Sequence, residues 1–213
     1  ERTITCAMGK TSLAFLTSDV TLPNAIVRKF SFDGAPQWET VLPYQMGYEI
    51  RMSADEQTIV AGSYQMEKHV SEETSQLSRE GKIVAHYAAL FRKAVFSDDN
   101  ALLLLSSRDD VLSIDVRVGK ELYRWKNISD SSIVTDIAWL SRNILIQTAT
   151  VTQNKEGLLL YTNPHLRLCS EKLELQREIF WNTIFYKKSS LSIRNGTTEI
   201  EFDGIKKEVR FEK

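Results

Sequence analysis

The chain has 213 residues, 42% of them hydrophobic and 26% charged, which is the balance of a globular protein with a substantial core and not of a disordered chain. Lys and Arg number 27 against 28 Asp and Glu, and a net charge of -1 supplies no long-range field for nucleic acid or an anionic membrane. The longest apolar run, Ala101 to Leu105, is strand-sized and far below the ~18 residues of a membrane span, so no membrane insertion is expected.

In chain order the sequence reads as five units of short strands. The first covers about 1–43, with strands near Thr3–Ala7, Ser12–Leu16, Ala25–Phe32 and Gln37–Val41. The second covers 44–90. Its segment QMEKHVSEETSQLSRE, Gln65 to Glu80, is polar and shows no helical stripe, which predicts a long charged insertion between the second and third strands. The third covers 91–129 and the fourth 130–176, where Asn163-Pro164 takes the role of the turn before the last strand. The fifth covers 177–213, with strands near Asn182–Tyr186, Ser190–Ile193, Thr197–Phe202 and Glu208–Phe211, and Asn195-Gly196 signals a hairpin between two of them. The chain starts at Glu1 without a methionine, and the expectation is a processed form or a piece of a longer protein.

The units repeat one another. MSADEQTIVAGS (Met52 to Ser63) parallels FSDDNALLLLSS (Phe96 to Ser107), and Gly9, Ser53, Ser97 and Ser141 follow at a constant step of 44 residues. A second register runs through Gly34, Gly81, Gly119 and Gly204, each after a strand, where a positive φ suits a tight turn. Four-stranded antiparallel units at this step predict an all-β chain: a β-propeller built from about five four-stranded antiparallel blades. Strands that are apolar on both sides, such as Leu102 to Leu105, fit sheets stacked face to face. The whole chain, 1–213, then reads as one propeller domain. Either it closes a small ring, or further blades from the same gene product or another chain complete a larger one.

DVLSIDVRVGKELYRW, Asp110 to Trp125, resembles the repeat of the quinoprotein-like propellers, with Asp115, Gly119, Lys120 and Trp125 carrying the likeness and Val118 standing where threonine is usual. KFSFDGAPQW is a looser match, and FSDDNALLLLSSRDDVLSIDV resembles a WD-repeat blade without the Trp-Asp pair. The resemblance implies a ring of blades with a binding or scaffolding role. Some members are quinone-dependent dehydrogenases, but this chain is shorter and lacks a vicinal cysteine pair and a cluster of calcium-binding carboxylates. No cofactor is expected.

The reactive residue types give no catalytic constellation. Cys6 and Cys169 are read as small buried hydrophobes. His69, His86 and His165 lack metal-ligand spacing, with His86 placed in a strand and His165 in a turn. Asp98-Asp99-Asn100 and Asp109-Asp110 read as hairpin turns, and no metal site is expected. The strongest signal is aromatic. The segments between units carry Tyr44, Tyr48, Phe91, Arg92, Asp130, Phe180 and Trp181, and aromatic residues beside arginine compose interaction hot spots. These predict a non-enzymatic interaction or scaffold module that binds a protein or peptide partner through one face. The alternatives are a small-ligand or glycan-acting propeller enzyme, with Glu49 and Asp136 as the candidate acids, and a purely structural piece of a surface or assembly protein.

Overall fold

The computed structural model describes residues 2–19, 21–66, 70–127, 131–187, 189–194 and 197–211. Among them there is no helix and there are 20 strands, in five antiparallel sheets. The first sheet is β1 (Arg2–Met8), β2 (Ser12–Ser18), β3 (Ile26–Ser31) and β4 (Pro36–Val41), paired in chain order. The second is β5 (Met46–Met52), β6 (Thr58–Met66), β7 (Val70–Ser78) and β8 (Ile83–Tyr87), and the third is β9 (Lys93–Phe96), β10 (Leu102–Ser106), β11 (Asp110–Asp115) and β12 (Lys120–Lys126). The fourth is β13 (Ser132–Leu140), β14 (Asn143–Gln153), β15 (Leu159–Cys169) and β16 (Leu175–Phe180), with β17 (Ile184–Phe185) added to β15. The fifth has β18 (Ser190–Arg194), β19 (Thr197–Phe202) and β20 (Ile205–Val209).

The chain divides into two compact units, Glu1–Leu103 with Ile114–Lys120, and Leu104–Ser113 with Glu121–Lys213. The division runs through the third sheet. The core of the first unit gathers Leu16, Val27, Leu42, Ile50, Ile59 and Leu77 from the first two sheets. That of the second gathers Leu145, Leu166, Phe185, Ile200 and Phe202 from the last two.

The repeat is structural where its step is kept. Ser53 Oγ donates to Asp55 Oδ1 (2.6 Å) and accepts the Thr58 amide (3.0 Å), and Ser97 does the same with Asp99 (2.6 Å) and Leu102 (2.9 Å). Glu56 and Asn100 follow in the same left-handed position, at φ 59° and 55°. Ser141 departs from this pattern, because it takes the positive φ itself in a two-residue turn between Leu140 and Asn143. Gly34, Gly81, Gly119 and Gly204 all have φ between 63° and 86°, as their turn register requires.

Four expectations are corrected. The segment read as a charged insertion is the third strand of its sheet: β7 pairs with β6 from Thr58↔Ser78 to Met66↔Val70. It hides because its buried stretch, Thr74 to Gln76, is polar on both faces. Thr74 Oγ1 donates to the Ala89 carbonyl (2.6 Å), and Gln76 donates to the Val116 carbonyl (2.6 Å) while accepting from the Tyr87 hydroxyl (2.6 Å). With every group partnered, polar residues sit inside without an apolar stripe to announce them.

Asn163-Pro164 lies inside β15 and not in a turn. Asn163 has φ 51°, and the ladder to β14 slips between Thr148 and Thr150, so the pair forms an irregularity within one long strand. The turn before β16 is Ser170 to Glu174, closed by the Ser170 amide on the Glu174 carbonyl at 2.9 Å. His165 is therefore a strand residue.

The fifth sheet has three strands. Ile184 and Phe185 pair with Thr162 and Tyr161 of β15, and Arg177 to Phe180 also belong to the fourth sheet. Beyond the Asn163 irregularity, β15 leaves an open edge that this short strand covers. Cys6 is exposed on β1, whereas Cys169 is buried; both are free thiols. The expected Asn195-Gly196 hairpin and His69 lie outside the described residues.

Candidate functional site

The residues singled out in the sequence fall into different environments. Tyr44 lies in the loop between β4 and β5, half-buried, with its carbonyl accepting the Ala25 amide at 2.8 Å. Tyr48 is an exposed residue within β5. Phe91 is only 1% exposed, and its amide donates to Thr74 Oγ1 at 3.2 Å. Arg92, its neighbour, is exposed. These four belong to the first unit. Asp130 lies outside the described residues. Trp181 is half-buried in the second unit, edge-on to Phe202 with ring centroids 5.9 Å apart. Phe180, at the end of β16, is 53% exposed. Phe91 and Trp181 are thus packing residues, while Tyr48, Arg92 and Phe180 face solvent.

Phe180 is the member with a built surrounding. Along β15, Leu166 and Leu168 turn into the core, so His165 and Arg167 stand on the opposite face. Register places His165 opposite Phe180, and Arg167 opposite Glu178. The imidazole and the Phe180 ring lie 4.9 Å apart at 49°. Glu178 Oε1 meets both His165 Nδ1 and an Arg167 Nη at 2.8 Å. The other Arg167 Nη donates to Thr148 Oγ1 at 2.7 Å, and the guanidinium carbon stands 5.5 Å from the centre of the Trp125 ring. The result is a row of Trp125, Arg167, His165, Glu178 and Phe180, in which each polar group is held by its neighbour.

Other reactive groups serve structure. Burial pushes the Cys169 thiol up to about 11, so it stays protonated and inert as a nucleophile at neutral pH. Glu49 accepts the Thr5 hydroxyl (3.2 Å), the Ile50 amide (3.1 Å) and Arg51 (2.9 Å). Asp136 is buried and accepts the amides of Ile137 (2.8 Å) and Leu191 (2.7 Å). Each acid ties the first strand of one sheet to that of its neighbour: Glu49 of β5 to β1, and Asp136 of β13 to β18. Among the described residues, no group of three or more His, Cys, Asp or Glu side chains is placed to hold a metal.

The sequence singles out Phe180 as a candidate, and the structure adds His165 against its ring and, beyond it, the chain of Glu178, Arg167 and Trp125. The signal was the alternation in HLRLC, obscured by taking Asn163-Pro164 for a turn.

No protein-family model and no curated protein match the chain. Solved structures do. The chain is similar to a eukaryotic initiation factor (TM-score 0.57, 13% identity), covering 95% of this chain and 50% of that one. It is similar to BamB from Moraxella catarrhalis (TM-score 0.52, 11% identity; 97% and 82% covered). It is also similar to the Dos1 propeller (TM-score 0.50, 12% identity; 92% and 67% covered). The fold is a β-propeller. The five sheets are its blades, and the quinoprotein-like and WD-repeat resemblance fits them. The chain spans half the length of the initiation factor it matches. At these identities the likeness concerns the propeller scaffold.

Proposed function

We propose that this propeller is a non-enzymatic interaction module that binds a protein or peptide partner through the exposed surface centred on Phe180 of its fourth blade. The observation that carries the reading is a half-exposed phenylalanine ring seated on an imidazole that Glu178 and Arg167 hold in place. A ring fixed before binding loses little rotamer entropy on association, and Arg and Trp beside it are the residue types that dominate interfaces. Arg167 is held by Glu178 and Thr148, and the half-buried Trp125 adds apolar area beside it.

The test is capture of partners from the source cell with wild type and with Phe180→Ala, followed by titration of each purified partner. At least a tenfold loss of affinity is expected for Phe180→Ala, and a similar loss for Arg167→Ala. Tyr48→Ala and Arg92→Ala, on the exposed positions of the first unit, are the comparison set. If a purified partner binds all Phe180 and Arg167 variants as it binds wild type, the fourth-blade face is not the interface.

A further inference from the structure

A different feature lies in the first unit and does not depend on the Phe180 row. Lys29 stands in the middle of β3 with Val27 on the same, inward face, and is 2% exposed. A buried ammonium ordinarily has a carboxylate partner. Here its hydrogen bond is to the backbone carbonyl of Glu56, at 3.5 Å, and among the described residues no carboxylate lies within ion-pair distance of it.

The ammonium opens into a pocket of about 240 Å³, lined also by Lys10, Gln37, Gln57 and Arg79. Two carboxylates border the pocket, and both are committed elsewhere. Glu56 accepts the Thr11 amide (2.6 Å), the Thr11 hydroxyl (2.8 Å) and the Ser12 hydroxyl (2.6 Å). Asp55 accepts the Ser53 hydroxyl (2.6 Å) and the Gln57 amide (3.2 Å). Arg79 is brought in by its own backbone, since its carbonyl accepts the Trp38 indole N–H at 2.7 Å. Three cations thus converge with two carboxylates, of which Glu56 has both oxygens, and Asp55 its Oδ1, engaged in hydrogen bonds of the turns.

We propose that this pocket between the first two blades is a receptor for a single carboxylate group, gripped by Lys29 at its floor and by Arg79 and Lys10 at its rim. Among the residues that line the pocket, three carry positive charge and two negative, a balance that a monoanionic carboxylate meets better than a phosphate dianion, and all the more so because Glu80, outside the lining and held by the Ser78 hydroxyl (3.0 Å), adds negative charge near Lys29. The volume is below the roughly 300 Å³ of drug-sized sites and suits one short acidic group. Burial lowers the Lys29 pKa, with Glu56 offsetting part of that, so the amine is costly to keep charged while the pocket is empty. A carboxylate entering beside it removes that cost.

The ligand source is either a free small acid or an acidic side chain of a protein, and the experiment separates them. Protein with ¹³C-labelled lysine is titrated at pH 7 and low salt with succinate, with a short blocked peptide containing one glutamate, with inorganic phosphate, and with neutral succinamide. A saturable shift of the Lys29 resonance with succinate or the glutamate peptide is expected, and none with succinamide. The stronger of the two probes identifies the source. Arg79→Gln and Lys10→Gln, both at exposed positions, should weaken binding at least fivefold with an unchanged melting temperature. Lys29→Met should abolish it. No saturable shift with either carboxylate, equal binding by Arg79→Gln, or tenfold tighter binding of phosphate would each overturn the proposal.

Discussion

The Glu56 carboxylate grips Thr11 of the preceding blade at both its amide, 2.6 Å, and its hydroxyl, 2.8 Å. Burial alone would raise its pKa, but the hydrogen bonds from Ser12 and Thr11 outweigh this and hold it at about 2. The folded pKa lies below the ordinary 4.5, so the stabilisation is complete above 4.5 and is lost as pH falls from there towards about 2. Urea midpoints across pH 7 to 2.5 should therefore fall less steeply in Glu56→Gln than in wild type. At pH 7 the variant should lose about 1.5–3 kcal/mol, the usual worth of hydrogen bonds to a charged group. Parallel pH curves for the two proteins would contradict this.

Lys29 works in the opposite sense. Its folded pKa is lowered from 10.5, first by burial, with Arg79 adding repulsion while Glu56 and Glu80 attract. Between the lowered value and 10.5 the unfolded chain binds more protons, so the Lys29 contribution to stability rises with pH through that window. The difference between wild type and Lys29→Met isolates it. Met keeps the packing stem, so at pH 7 the variant should match or exceed wild type by about 1 kcal/mol. Wild type should gain on it as the pH rises through the alkaline range towards 10.5.

Asp136 holds the fifth blade to the fourth through the Leu191 amide at 2.7 Å. Asp136→Ala strands that donor and the Ile137 amide in a buried setting, at about 1–3 kcal/mol. Asp136→Asn, which keeps one acceptor oxygen, should cost less. Hydrogen exchange at Leu191 should accelerate in Asp136→Ala well before global unfolding. Unchanged protection there would show that the amide finds another acceptor.

Gly81 and Gly34 separate backbone strain from contact. Both have φ near +85°, but a Cβ on Gly81 would meet Trp38 Cδ2 at 2.6 Å, while one on Gly34 would meet nothing within 4 Å. Gly34→Ala should cost about 1–2 kcal/mol, the left-handed penalty alone. Gly81→Ala should cost clearly more and alter Trp38 fluorescence, because the indole must move off the turn it covers.

Phe91 and Phe180 were grouped together as aromatic candidates and should behave oppositely. Phe91→Ala opens a buried cavity and should cost about 3–5 kcal/mol. Phe180→Ala should change stability by no more than about 0.5 kcal/mol, since the ring is half in solvent. Thermal unfolding of the two variants checks both.

Much of the scaffold was legible because repetition leaves a period. The Ser53 and Ser97 turns, the glycine register and the strands of the first unit lie where spacing put them. Strand β7 was not legible, because hydropathy registers burial only when apolar side chains do the burying, and Thr74 and Gln76 are buried by satisfied hydrogen bonds. The Asn163 irregularity was not legible either, since Asn-Pro is locally a turn signal, and only the pairing of the flanking residues with β14 and β17 keeps it inside one strand.

By itself, then, the sequence determined the all-β class, the blade repeat and the positions that need a positive φ, since these follow from local backbone preference and spacing. Tertiary structure alone decided which aromatics are core and which are surface, that His165 lies against Phe180 while Arg167 joins Glu178 to Trp125, and that among the described residues Lys29 is buried without a carboxylate in ion-pair distance. These depend on cross-strand register and on what the adjoining blade places opposite each residue. Such pairings join residues 11 to more than 40 positions apart in the chain.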